Sequence, residues 1–255
     1  MYETIRVETS GEHVARVVLA NPPLNVLTIA MLKELAEAIE EAAGIEKLRV
    51  LVVAAEGRAF SAGVDVEDHV GDKVAPMIAA FHGLFRRLAD VEPVTVAEVH
   101  AHALGGGCEL AAFCDLVVAS EEATFGQPEI QLGLFPPVTA AAFPYFVRGK
   151  KTLELMLTGE RVDAREAQRI GLVNQVWPAE GFAEEAVSFV ERLASRSGVA
   201  LKLAKKAYYA GVDVPFHEAL DRAEEIYLRE LMRSRDAIEG IAAFREKREP
   251  NWKDE

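Results

Sequence analysis

Three segments carry residue types that could do chemistry. The most informative is His100-Ala-His-Ala-Leu-Gly105-Gly106-Gly107-Cys108-Glu109-Leu-Ala-Ala-Phe, where three glycines stand between a strand-like run and a helix-forming run. Glycine admits close approach to the backbone, and a helix N-terminus offers unpaired N–H groups. Such amides stabilise negative charge, on a phosphate or on a developing oxyanion. No Lys-Ser/Thr pair follows as in a nucleotide phosphate loop, and the G-x-G-x-x-G spacing is absent. Glu109 then falls in the first turn of an otherwise apolar helix. It is either an acid/base group or a side chain that favours the helix dipole.

The second segment, Gly57-Arg-Ala-Phe-Ser-Ala-Gly-Val-Asp65-Val, follows a buried-strand pattern, and its Ser-Ala-Gly turn could leave amides free. A loop of small residues at a strand end is common, so this segment alone says little. The third is Phe125-Gly-Gln-Pro-Glu129-Ile. Pro128 fixes the backbone before Glu129, and the apolar residues that follow imply a carboxylate that is paired or raised in pKa. An exposed loop glutamate is the competing reading.

Elements must bring these segments together. Val14–Leu19, Val50–Ala54, Val94–Val99 and Leu116–Ala119 read as buried strands. An amphipathic helix capped by Thr28 repeats Leu32, Leu35, Ala36 and Ile39, with Gly44 suited to a left-handed C-terminal cap. Val74–Leu88 reads as a second helix. Asp163 and Glu166 form a capping pair before a short helix that stops at Gly171, and Leu172–Val176 reads as one more strand. From Glu180 to Lys247 the pattern is helical, with apolar residues on more than one face, which suggests burial against a neighbouring subunit. The expectation is an α/β core over 1–195 and a helical oligomerisation region over 196–255.

Composition narrows the function classes. Acidic residues outnumber basic ones 41 to 28, a formal charge of −13. That field opposes nucleic acid and anionic lipid but permits a small polyanion where cations cluster locally. Candidate clusters are Lys150–Lys151, Lys202 with Lys205–Lys206, and Arg245 to Arg248; each also reads as a solvated helix face. No run of about 20 apolar residues suggests a membrane span, and the first ten residues do not read as a secretory signal. Two cysteines, Cys108 and Cys114, point to different faces of one helical segment, as expected of a reduced cytoplasmic protein.

Taken together, Ala59-Phe-Ser-Ala-Gly-Val-Asp65, Ala103-Leu-Gly-Gly-Gly-Cys-Glu109 and Phe125-Gly-Gln-Pro-Glu129 resemble the crotonase, or enoyl-CoA hydratase/isomerase, superfamily. The resemblance runs from Asn21-Pro-Pro-Leu-Asn to Phe244-Arg-Glu-Lys. It implies a spiral of ββα units with C-terminal trimerisation helices, assembled as a homotrimer or a dimer of trimers. It implies an acyl-CoA substrate and no separate cofactor or metal. The family's oxyanion amides map onto Val64 and Gly106, and its two glutamates onto Glu109 and Glu129. Members keeping both glutamates hydrate enoyl-CoA, whereas double-bond isomerases often keep one. By the same resemblance, CoA lies along Leu24, Ala62, Asp65 and Val66, and Gly63, Gly105 and Pro128 also belong to the substrate-binding set. Phe244 and Lys247 of a neighbouring subunit approach the adenine and 3′-phosphate.

The sequence also departs from the family. A glycine-rich turn usually follows the second glutamate. Here Leu132-Gly-Leu-Phe-Pro-Pro137-Val-Thr-Ala-Ala should stiffen and fill the wall beside the acyl group. The stretch at Asn21-Pro-Pro lacks the usual basic residue. The combination of Pro-Pro-Leu-Asn-Val-Leu, Ser-Ala-Gly-Val-Asp-Val, His-Ala-His-Ala-Leu-Gly-Gly-Gly and Phe-Pro-Pro-Val resembles the branch that hydrates cyclohexa-1,5-diene-1-carboxyl-CoA. His100 and His102 could share a metal if a third ligand joined them, but none stands at a suitable spacing.

Overall fold

Valine-rich segments form the main sheet because both of their faces find apolar cover. The computed structural model describes residues 2–255. The chain opens with β1 (Ile5–Ser10), β2 (Val14–Leu19) and α1 (Ile29–Ala43). Next come β3 (Val50–Ala55), β4 (Ala59–Ser61), α2 (Val74–Ala89), β5 (Val94–Val99), β6 (His102–Leu104) and α3 (Gly106–Phe113). β7 (Leu116–Ser120), β8 (Thr124–Gly126), α4 (Pro137–Ala142), α5 (Gly149–Thr158), β9 (Arg161–Asp163), α6 (Ala164–Arg169) and β10 (Gln175–Trp177) follow. Helices α7 (Phe182–Ala194), α8 (Gly198–Ala210), α9 (Phe216–Arg229) and α10 (Arg235–Glu246) complete the chain.

The large sheet runs β1-β2-β3-β5-β7-β10, with β1 antiparallel and the other pairings parallel. Period-two alternation divides its residues between two layers. Leu51, Val53, Ala97, Val99, Val117 and Ala119 join the cluster under α1 and α2. Val50, Val52, Val94, Val96 and Val118 face Phe182, Ala186 and Val190 of α7. A smaller sheet runs β4-β6-β8-β9, in which only β9 is antiparallel.

The path β3 to β4, β5 to β6 and β7 to β8 crosses three times from the large sheet to the small one. With α2 and α3 behind the first two crossings, this is the expected α/β spiral of ββα units. Its consequence for function is direct. Val64, Gly106 and Glu129 each lie two or three residues beyond the C-terminal ends of β4, β6 and β8, which are adjacent parallel strands.

Two local expectations fail for clear reasons. Gly44 caps α1 in the right-handed region (φ −78°), its amide bonding Glu40 O and Ala42 O, so no left-handed turn forms. The strand expected at Leu172–Val176 is confined to Gln175–Trp177. The amides of Leu172 and Val173 instead close the end of α6 on Ala167 O, so they cannot join a ladder. The Asp163 cap does form, accepting from Glu166 N.

The C-terminal strap ties the helical region to the sheet through a buried ion pair. Arg49, just before β3, holds Asp254 at 2.8 Å and donates to Ala194 O, while Gly198 N donates to Asp254. Removing one partner of a buried pair leaves the other charge uncompensated, which costs about 3–5 kcal/mol. Asp254→Ala should therefore lower unfolding stability by about 3 kcal/mol in a urea titration. Conversely, Glu218→Ala, at an exposed i,i+4 pair with Arg222, should change it by less than about 0.5 kcal/mol.

Candidate active site

Backbone pairing, not side chains, sets the first half of the site. Residues Asn21–Leu27 lie against the loop after β4. Ala62 N donates to Leu24 O, Leu27 N to Gly63 O, and Asp65 N to Leu27 O. Gly63 N is taken by the Ser61 hydroxyl at 3.1 Å. Because Leu27 bonds the residues on either side of Val64 in a parallel bridge, the Val64 amide alone in this turn has no partner in the described chain. Gly106 N opens α3 and is likewise unpartnered in the first turn.

Glycine brings the two amides together. A Cβ on Gly106 would lie 2.8 Å from Val64 Cγ2 and 3.0 Å from the Phe81 ring. A Cβ on Gly63 would lie 3.0 Å from Leu104 O and 3.6 Å from Gly106 N. These are protein–protein approaches that only glycine permits. Gly105, at φ +52°, has a further task, since a Cβ there would stand 2.6 Å from Glu129 Oε1. The absence of a side chain at Gly105 therefore leaves the space that the Glu129 carboxyl occupies.

The two glutamates converge. Glu109, on α3, is 2% exposed, and Thr139 N donates to its Oε1 at 2.6 Å. Burial raises its pKa to about 8, and the negative charge of Glu129 adds to the rise, against the Thr139 amide hydrogen bond and the nearby Thr139 hydroxyl, which lower it. Glu129 sits in the 3₁₀ turn Pro128–Leu132, where Pro128 occupies the first turn. Burial raises it to about 7, and its Oε2 is buried with no hydrogen-bond partner. Interacting groups of this kind titrate as a pair. With both carboxyls raised toward neutrality by burial, the pair retains a proton there, which suits simultaneous acid and base work.

Several positioning residues gave no signal of their role in the sequence. Asn25 is fully buried at φ +49° and donates to Glu56 O and Ala59 O while accepting from Asn21 N. Ser61 donates to Asn25 O. Gln127 is fully buried, and neither atom of its amide has a partner in the described chain. An Asn-x₃-Asn spacing beside Pro-Pro is the only hint a sequence offers for the first of these.

Other sequence candidates lie elsewhere. Leu24 and Val66 are exposed beside the Val64 loop, and Asp65 caps the short turn after it. Phe244 is 86% exposed on α10, and Lys247 ends that helix in a left-handed conformation; α10 itself packs on α8 and the Leu231–Arg233 turn. The expectation that the Pro-Pro wall is filled is met only in part. Pro137 opens α4, which grips Glu109 through Thr139, but Phe135 is largely exposed. His100 pairs with Gly57 O and His102 with Thr124 Oγ1, and no metal-binding group of three side chains occurs among the described residues. Cys108 and Cys114 are free and buried, and burial raises both thiols. Lys151, Lys202, Lys205, Lys206 and Arg248 are each held by carboxylates. No described helix is long and apolar enough to cross a membrane.

Known proteins resemble the chain over nearly its whole length. The family model for enoyl-CoA hydratase/isomerase matches residues 9–255. A probable enoyl-CoA hydratase of Rhizobium meliloti is 38% identical over 255 residues, covering 99% of this chain and 98% of that one. The cyclohexa-1,5-dienecarbonyl-CoA hydratase of Thauera aromatica is 36% identical over 237 residues, covering 93% and 92%. The crystal structure of an enoyl-CoA hydratase from Bacillus anthracis superposes with a TM-score of 0.93 at 30% identity, covering 99% and 100%.

The raised carboxyls also make a stability prediction. A carboxyl whose folded pKa lies above its unfolded value, near 4.3, favours folding fully only below that value. The contribution is lost as pH rises through the folded pKa. Stability should therefore fall between about pH 4.5 and 8 on account of Glu109. Glu109→Gln should flatten this fall and exceed the wild type in thermal midpoint at pH 9, as measured by calorimetry across pH.

Proposed function

The chain belongs to the enoyl-CoA hydratase/isomerase family, and from that premise we propose that it adds water across the α,β double bond of an acyl-CoA thioester. The observation that carries this reading is the convergence of two carboxyls, Glu109 buried and Glu129 half-buried, on one small space beside two unpartnered amides. An isomerase moving a proton between Cα and Cγ needs one carboxylate, whereas hydration uses both.

In this reading the thioester oxygen lies between the N–H groups of Val64 and Gly106. They are fixed before substrate arrives, so they stabilise the enolate-like charge with little reorganisation. Water lies between the carboxyls. One takes its proton as oxygen attacks Cβ, and the other delivers its proton to Cα. Family analogy gives the first task to Glu109 and the second to Glu129. The lower pKa of Glu129 works against a strict division, and the pair is better treated as one acid/base unit. CoA would extend past Ala62 and Asp65 to the exposed Leu24 and Val66. CoA comes with the substrate, and the chemistry requires no further cofactor.

Assembly belongs to the same proposal. Phe216, Tyr227, Leu228, Ile238 and Ile241 are all exposed on α9 and α10, a face that a trimer or a dimer of trimers would cover. There Phe244 and Lys247 would meet the CoA of a neighbour. For the acyl group, the similarity to the Thauera aromatica hydratase supports a cyclic dienoyl-CoA.

Glu109→Gln and Glu129→Gln should each lower the hydration rate by roughly 10²–10⁴-fold, followed as loss of the enoyl-thioester absorbance. In ¹⁸O-water the product alcohol should carry label; an unlabelled, shifted double bond would overturn the hydratase reading. A higher kcat/KM for the cyclic dienoyl-CoA than for crotonyl-CoA is expected, and the reverse order would refute that substrate assignment.

A further inference from the structure

Thr139 is the third residue of α4, and none of its surface is exposed. Its amide is already used, donating to Glu109 Oε1. Its hydroxyl is in a different condition, for Oγ1 is buried with no hydrogen-bond partner in the described chain. A helical threonine ordinarily returns its hydroxyl to the carbonyl three or four residues earlier. Here the carbonyl three back, Pro136 O, accepts from Ala140 N instead. The hydroxyl stands near enough to Glu109 to favour its charged form, yet outside hydrogen-bond geometry with it.

Unpartnered buried polar atoms are few in native proteins and call for an explanation. Glu129 Oε2 is a second such atom, on the other half of the carboxyl pair. A small polar molecule between the carboxyls would satisfy both atoms at once. Threonine is well suited to one side of it, since a hydroxyl both donates and accepts.

We propose that Thr139 is the positioning residue for the attacking water, its hydroxyl binding the water that Glu109 activates while its amide locks that carboxyl. The proposal rests on the hydratase reading above. In the step, water oxygen forms the bond to Cβ, one water proton passes to the carboxyl pair, and the proton that the pair already holds passes to Cα. The Thr139 hydroxyl gains and loses nothing; it fixes the direction of attack.

The test compares Thr139→Val, which keeps the shape and removes the hydroxyl, with Thr139→Ser, which keeps the hydroxyl. Thr139→Val should lower kcat about ten- to a hundredfold, the size of effect expected of misplacement, with KM changed less than about threefold. Its thermal midpoint should be unchanged or higher, because an unsatisfied buried hydroxyl is removed. The pH profile of Thr139→Val should move to higher pH, since a group favouring ionised Glu109 is lost. Thr139→Ser should restore kcat to within about threefold and return the profile.

A merely structural threonine would give the opposite pattern, with Thr139→Val at wild-type kcat at every pH, and that result overturns the proposal. The wild type is assayed alongside. If it hydrates no enoyl-CoA, the function reading fails, and Thr139 is then judged by infrared titration of the Glu109 carboxyl, identified by subtracting Glu109→Gln. A titration midpoint unmoved in Thr139→Val would overturn the proposal there too.

Discussion

Everything at this site depends on holding two ionisable carboxyls where water is scarce. Removing a carboxylate from water is unfavourable unless hydrogen bonds or charge compensate it. Here the compensation is deliberately incomplete. Glu109 receives the Thr139 amide, Glu129 Oε2 receives nothing, and among the described residues no lysine or arginine contributes to either carboxyl's shift. The result is a pair that retains a proton near neutrality. A lysine or arginine in the same place would strengthen the fold and abolish that property, because both groups would ionise.

The surrounding structure absorbs the cost of this arrangement. The Val64 loop is stitched to Asn21–Leu27 by three backbone hydrogen bonds and by the side chains of Asn25 and Ser61. Gly63 lets this loop meet the Leu104–Gly106 backbone directly, while Gly105 and Gly106 leave room for the side chains of Glu129 and Val64. At the opposite end of the sheet, the Arg49–Asp254 pair anchors the helical region, away from the carboxyls. Rigidity around an unsatisfied centre is what preorganised catalysis requires.

Much of this was legible in the sequence. Valine runs marked the buried strands, and helical spacing marked α1 and α2, because period and composition report burial directly. Gly105–Gly107, Glu109 and Glu129 were visible as chemically unusual residues in apolar context. The wrong details were those decided by a single hydrogen bond. Gly44 took a right-handed cap, and Leu172–Val173 closed a helix on Ala167 instead of joining a strand. Asn25 and Thr139 were invisible as site residues, because their importance comes from partners, or a missing partner, supplied 30 or more residues away. The Pro-Pro departure was read as a wall, whereas its clearest effect is to start the helix that grips Glu109.

The adjacency of β4 and β6 has a geometric consequence. Neighbouring strands lie about 4.8 Å apart, and the loops leaving them inherit that interval. One oxygen accepting from two amides at about 2.9 Å each requires donors separated by a similar interval. The sheet thus acts as a ruler for the Val64 and Gly106 amides, and its graduation is fixed by main-chain hydrogen bonding and not by the side chains the two loops carry.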